Sequence, residues 1–329
     1  MAKKVRMSDI AETLGVSNVT VSKALSNKDG VSDELRKKIK LLADEMGYQY
    51  TNTDNTNHSQ IVRIIIAQRY IDSSYSFYWN LYKFIVTYLK QYKCYSVLEI
   101  VSFRDEKENI LPNFMNDQFL GYIVLGEMEE AYLKTLLKTN KNVVFTDFSN
   151  DSLTTSSVIT NNYYDTYRLT EYLLKKGHKD IGFVGSISMK NNIYDRYFGY
   201  CKAMVKNGCS IQDDWIIEDR NGEDLSFLKT FELPQKMPTA FVCNCDETAY
   251  YFIQYLKEKG YSIPEDISIV GYYNFVFSQM CKPELTTVNV DLKAMAKKTV
   301  EMILKPSNDY LSVVVNGSIV ERESVKTIS

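Results

Sequence analysis

The stretch MSDIAETLGVSNVTVSKAL, residues 7–25, decides how the chain begins. Ile10, Ala11 and Leu14 fall on one face of a short helix that Ser8 can cap. Gly15 ends it, glycine being the residue that permits the positive φ of a tight turn. Ser17 then caps a second helix from Asn18 to about Leu25, whose apolar stripe is Val21, Ala24 and Leu25. The opposite face presents Asn18, Val19, Ser22 and Lys23. Small Ala11 lets the two helices approach, Gly15 turns the chain and Val21 plugs the gap, which is the packing a helix-turn-helix needs.

Working outward, Ser32 opens a third helix with Asp33 and Glu34 at its positive end. Leu35, Ile39, Leu42, Ala43 and Met46 form its buried face, and Gly47 stops it. Arg36, Lys37, Lys38 and Lys40 are left facing solvent or phosphate. The full chain of 329 residues is near neutral, with 39 basic and 41 acidic residues. Its first forty residues are nevertheless net basic and the remainder net acidic, the asymmetry of a polyanion-binding head on an acidic body. With 45% hydrophobic and 24% charged residues, wholesale disorder is excluded and about two domains fit the length.

The cysteines at 94, 201, 209, 243, 245 and 281 form no CxxC pair. With His58 and His178 they make no familiar zinc spacing, so they read as reduced core thiols, and no metal or cofactor is expected. His178 itself reads as a structural residue ahead of a strand. No run of apolar residues is long enough to span a membrane, and residues 1–20 lack the apolar core of an export signal, so a cytoplasmic protein is expected.

From residue 61 onward, β-type apolar runs at 61–67, 97–101, 122–125, 143–146, 181–184, 240–243 and 267–270 alternate with helical periods. The latter lie at about 77–92, 129–139, 163–177, 194–207, 246–260 and 293–304. Such alternation predicts an α/β fold with parallel sheets covered on both faces, in two lobes. In open α/β sheets ligands sit at the carboxyl ends of strands, so the cleft between lobes is the default site. No GxSxG, P-loop or post-strand GxGxxG is present, which argues against an enzyme. The competing class is a small-molecule-binding protein or α/β enzyme whose headpiece is vestigial; retention on DNA and its loss with salt discriminates the two.

Met7-Ser8-Asp9-Ile10-Ala11-Glu12, Gly15-Val16-Ser17 and Thr20-Val21-Ser22-Lys23-Ala24-Leu25 resemble the headpiece of the lac-repressor (LacI/GalR) family. Val31-Ser32, Arg36 and Gly47-Tyr48 continue the resemblance. Later segments resemble the family's effector-binding core: Lys176-Gly177-His178-Lys179-Asp180-Ile181, Ile263-Pro264-Glu265-Asp266-Ile267, Pro283-Glu284-Leu285-Thr286-Thr287 and Glu321-Arg322-Glu323-Ser324. The resemblance implies a headpiece at 1–50, a linker at 51–60 and a two-lobed, periplasmic-binding-protein-like core at 61–329. One lobe would comprise roughly 61–160 with 290–318, the other 161–289 with 319–329. It also implies a repressor that binds a palindromic double-stranded operator as a homodimer, paired through helices near 77–92 and 293–304, and responds to a small molecule.

By that resemblance Ser17, Thr20 and Ser22 contact phosphates, Arg36 does likewise, and Asn18, Val19 and Lys23 read bases in the major groove. Ser8 and Asn27 complete the expected DNA-facing set. The linker departs from the family: Thr51–Gln60 has no leucine to wedge into the minor groove, so little kinking of DNA is expected. In the core, Arg196 and Asp147 fall on ligand-lining family positions. Asp246 joins them, although its place at a helix start also reads as a cap. Where members carry Gly-Tyr-Asp after a strand, this chain reads Gly271-Tyr272-Tyr273-Asn274, and Phe77, Tyr78, Phe148 and Phe275 add rings around the cleft. The expected effector is therefore a sugar phosphate, a carboxylated metabolite or a ring-bearing one, not a plain sugar.

Overall fold

The computed structural model describes residues 5–26, 28–46, 48, 60–71, 77–112, 119–139, 141–188, 191–222, 226–307 and 309–328. The chain divides into two compact units, Met1–Gln60 and Ile61–Ser329.

The first unit holds α1 (Met7–Leu14), α2 (Asn18–Leu25) and α3 (Asp33–Glu45). Ile10, Ala11, Val21, Ala24, Leu25, Ile39 and Ala43 make its core, with Leu14, Leu35, Leu42 and Met46 packed around them. Gly15 stands at φ +64, the left-handed turn expected between α1 and α2. One detail differs from the sequence expectation. The cap residue of α1 is Arg6, whose backbone N–H donates to Asp9 Oδ2 at 2.8 Å. Ser8 lies inside the first turn, because Asp9 satisfies the orphan amide from within the helix.

The second unit is built on two six-stranded sheets. Its strands are β1 (Gln60–Ala67), β2 (Cys94–Val101), β3 (Phe119–Leu125), β4 (Asn142–Thr146), β5 (Ser156–Thr160), β6 (Ile181–Val184), β7 (Ile216–Ile217), β8 (Ala240–Cys243), β9 (Ser268–Tyr273), β10 (Thr286–Asn289), β11 (Ser312–Val315) and β12 (Ser318–Val320). The first sheet runs β11-β5-β4-β3-β1-β2 and the second β12-β10-β9-β8-β6-β7. β3 pairs with β1 and β4, β5 with β4 and β11, β6 with β7 and β8, and β9 with β8 and β10, all in parallel, whereas β10 with β12 is antiparallel. Strands such as β1 and β3 are buried along most of their length because helices cover both faces.

The covering helices are α4 (Phe77–Gln91), α5 (Phe103–Lys107), α6 (Glu130–Leu137), α7 (Asn162–Lys175), α8 (Asn191–Lys206), α9 (Asp246–Glu258), α10 (Val276–Met280) and α11 (Leu292–Leu304). Each longer helix turns one stripe inward: Phe77, Leu81, Ile85 and Leu89 from α4, and Met295, Ala296, Thr299, Val300 and Ile303 from α11. β5, β7, β10, β11 and β12 were not among the expected runs. They are two to five residues long.

The chain passes between the sheets three times: after β5, after β10, and between β11 and β12. Asparagines tie these crossings together. Asn161 Nδ2 donates to Asn316 Oδ1 at 2.8 Å. Asn274 Nδ2 donates to Asn289 Oδ1 at 3.0 Å. Asp165, in the first turn of α7, accepts from the Gly317 N–H at 2.7 Å. Two asparagine pairs and one carboxyl thus add hydrogen bonds at the crossings to the apolar core that runs beneath them.

Candidate functional site

In the first unit, α2 buries Val21, Ala24 and Leu25 and leaves Asn18, Val19, Ser22 and Lys23 exposed. Val19 is 64% exposed, unusual for a β-branched apolar side chain in a small core. The Ser17 hydroxyl accepts from the Thr20 N–H at 3.0 Å and contacts the Thr20 hydroxyl at 2.8 Å. It is the N-cap, and it turns the α2 N-terminus and its neighbouring hydroxyls outward together. Ser8 is exposed as well; Asn27 and residues 51–59 of the linker lie outside the described residues.

Arg36 has a role that the sequence reading did not anticipate. Its guanidinium donates to the carbonyls of Lys28 at 2.9 Å, Val31 at 3.3 Å and Lys23 at 3.4 Å. These carbonyls lie at the end of α2 and along the segment leading to α3, so the side chain straps α2 to α3.

In the second unit the carboxyl end of the first sheet and the starts of α7 and α8 enclose a small cavity of about 30 Å³, room for one or two waters. Tyr70, Tyr78, Glu127, Asp147, Phe148, Ser149 and Ile159 line it from the first sheet's side. Asn162, Asn191, Asn192 and Asp195 line it from α7 and α8. Asp147 follows β4 with φ +70, is buried, and accepts from the Tyr78 hydroxyl at 2.9 Å. Tyr78 packs on Tyr70 at 4.5 Å between centroids, and Phe148 stacks on Phe145 at 4.5 Å. Glu127 reaches Asn191 at the start of α8, where Asn191 Nδ2 donates to Oε1 at 2.6 Å. A carboxylate from one lobe thus sits at the positive end of a helix in the other.

Arg196, 1% exposed, lies behind this cavity rather than in its wall. Its Nε donates to Asn162 Oδ1 at 2.9 Å, one Nη to the Asn244 carbonyl at 2.8 Å, and the other Nη to the Tyr273 hydroxyl at 2.8 Å. The guanidinium also lies 4.1 Å from the Tyr272 ring centroid and 4.5 Å from that of Tyr273. Tyr273 in turn packs on Phe77 of α4 at 4.5 Å. Tyr273 and Asn274 stand at φ +107 and +55, a region that costs a non-glycine residue about 1–3 kcal/mol.

Asp246 does not line the cavity. Oδ1 accepts from the Thr287 hydroxyl at 2.6 Å and Oδ2 from the Phe275 N–H at 2.7 Å. It thereby joins β10 to the turn that presents Tyr273, and Phe275 serves that turn through its backbone. Burial pushes the Asp246 carboxyl up to about 7, against those two hydrogen bonds. Both His178 nitrogens are engaged inside the fold, by the Thr239 hydroxyl at 2.9 Å and the Lys326 carbonyl at 3.1 Å. That is the structural role expected for it. All six cysteines are free thiols. Among the described residues, no helix is long and apolar enough to cross a membrane.

Sequence reasoning missed Tyr70, Glu127, Asn162, Asn191, Asn192 and Asp195. Only Asn162 carried a signal, the Asn161-Asn162 pair that opens α7; the rest arrive from loops and helix starts that only the crossings bring together.

A three-helix head with an outward polar face, followed by paired parallel sheets crossed three times, defines a helix-turn-helix protein with a two-lobed binding core. Residues 6–50 match the model described as bacterial regulatory proteins, lacI family, and residues 170–325 match that of a periplasmic binding protein-like domain. The head is thus similar to that of bacterial regulatory proteins of the lacI family, and the later part of the core to a periplasmic binding protein-like domain. The HTH-type transcriptional repressor PurR of Pasteurella multocida is 27% identical over 336 residues, covering 97% of this chain and 98% of that protein. The probable HTH-type transcriptional repressor ExuR of Bacillus subtilis is 23% identical, with 99% of each covered. Among solved structures, the lac repressor dimer bound to operator and the anti-inducer ONPF superposes with TM-score 0.66 at 19% identity, covering 98% of this chain and all of that one. The regulator CelR with cellobiose does so with TM-score 0.67 at 17% identity, covering 97% and 99%.

Proposed function

We propose that this protein is a transcriptional repressor that binds a two-fold symmetric DNA operator as a homodimer and is modulated by a small molecule between its lobes. The observation that carries the reading is the outward face of α2. Asn18 and Lys23 suit adenine and guanine edges, Val19 can meet a thymine methyl, and the Ser17, Thr20 and Ser22 hydroxyls lie where phosphates would run. One such helix makes few contacts, and pairing across a two-fold axis doubles them at one helical turn's spacing.

An apolar surface for that pairing exists beside α4. Tyr95, Val97 and Ile100 of edge strand β2 and Phe103 after it are 65%, 41%, 46% and 70% exposed, more than an unpaired edge usually shows. The helices at 77–92 and 293–304, expected from the family to pair, bury their main apolar stripes in the core and keep their outer faces for the partner, with β2 beside α4 in the proposed interface. The effector reading rests on the acceptor-rich cavity and its rings.

Genomic footprinting with the full chain tests the proposal: enrichment of symmetric sites is expected. Lys23→Ala should then relax discrimination at one operator position by about 1–3 kcal/mol. Binding of unchanged sequence preference in that variant would remove α2 as the reading helix.

A further inference from the structure

We infer that Tyr273 is a built-in ligand of Arg196, and that it sets the chemical class of effector the cleft admits. The inference rests on the cleft being the effector site, as proposed above.

Three observations converge. Arg196 is the side chain whose forked donors would suit a phosphate or carboxylate. Its fork is closed from within: one Nη donates to the Tyr273 hydroxyl at 2.8 Å, and the ring of the same tyrosine covers the guanidinium at 4.5 Å. A phenol oxygen thus occupies the place of an incoming anion's oxygen.

Tyr273 is also held there from the far side of the cleft. Its ring packs on Phe77 at 4.5 Å, and its backbone stands at φ +107, a conformation that persists only where surroundings impose it. The residue therefore spans both lobes as a ligand would.

What remains beside it is a cavity whose described lining includes Glu127, Asp147 and Asp195, with the amides of Asn162, Asn191 and Asn192, and no lysine or arginine. A phosphate or carboxylate there would meet three carboxylates, while the guanidinium behind them is already engaged by Tyr273. Hydroxyl or ammonium groups would meet acceptors. With Tyr273 seated, the cleft selects neutral, hydroxyl-rich or amine-bearing ligands and rejects anions. The anionic classes suggested by Arg196 in the sequence are thereby set aside, while a ring remains compatible with Tyr70, Tyr78 and Phe148.

The test uses the full chain and inorganic phosphate as probe, at constant ionic strength with chloride as reference. Tyr273→Gly removes the phenol and relieves the left-handed backbone, so it should fold. Tyr273→Phe keeps the ring and drops only the hydroxyl. The expected result is that phosphate leaves the melting temperature of the wild-type core unchanged but raises that of Tyr273→Gly, with an apparent affinity at least about tenfold tighter, as an uncapped charge-assisted contact supplies. Tyr273→Phe should fall between the two, and adding Arg196→Met to Tyr273→Gly should abolish the gain. Equal phosphate responses in wild type and Tyr273→Gly, or none in either, would overturn the inference. Retention of wild type on DNA, measured in parallel, separates that failure from failure of the regulatory reading.

Discussion

Replacing Arg36 by alanine distinguishes a strap inside the head from a contact to DNA. The guanidinium donates to the Lys28 carbonyl at 2.9 Å and more distantly to those of Val31 and Lys23 at 3.3 and 3.4 Å. A good hydrogen bond from a charged donor contributes about 1.5–3 kcal/mol, and the two long ones add little. A loss of about 2–3 kcal/mol is therefore expected, against the ~3–5 kcal/mol that a core of this size supplies. Hydrogen exchange across residues 5–48 of the full chain should accelerate by one to two orders of magnitude, roughly 1.4 kcal/mol per tenfold. Operator affinity should fall with it. Arg36→Lys is the decisive control. A lysine keeps the charge but cannot fork to carbonyls from separate segments, so it should behave nearly like alanine. A phosphate contact predicts the opposite: Arg36→Lys would preserve binding, Arg36→Ala would flatten the salt dependence by about 0.9 in log–log slope, and exchange would not change in either variant. That second pattern would refute the strap.

Asp246→Asn should flatten the pH dependence of stability. Burial holds this carboxyl at about 7 in the fold, above its unfolded value of about 3.9, so its contribution is present below about pH 4 and declines as pH rises through 7. Glu247, also raised to about 7 by burial, acts with the same sign, so urea midpoints between about pH 5 and 8 should lose part of their downward slope rather than all of it; an unaltered slope would count against Asp246. Gly199→Ala should destabilise the core although alanine favours helix by ~1 kcal/mol. Its Cβ would lie 2.2 Å from the Tyr163 carbonyl oxygen of the adjacent helix, and overpacking of that kind costs up to ~3 kcal/mol. The net of about 2 kcal/mol should lower the melting temperature by roughly 4–8 °C and loosen Arg196, one turn earlier on α8; a rise would mean the helices separate freely.

The head was legible because its signals are local. Ser17 as cap, Gly15 as turn and the Val21, Ala24 and Leu25 stripe each depend on residues within a few positions, and the structure shows them together. The long core strands and helices were legible for the same reason. Arg36 was not: basic and at the head of a run of lysines, it reads as surface charge until the carbonyls of residues 23, 28 and 31 are seen around it.

The sequence by itself determined the α/β class, the helix-turn-helix and the face of α2 that points outward, since periodicity and capping are properties of neighbouring residues. It also brought Asp147, Arg196 and Tyr273 to strand ends or a covering helix. Only the tertiary structure decided what those residues do. Arg196 meets Asn162, Asn244 and Tyr273 from positions 34, 48 and 77 residues away, and Tyr273 meets Phe77 from the opposite lobe. Whether a guanidinium is open to a ligand or capped by a phenol depends on where three chain crossings place distant strand ends, and no local pattern carries that distance.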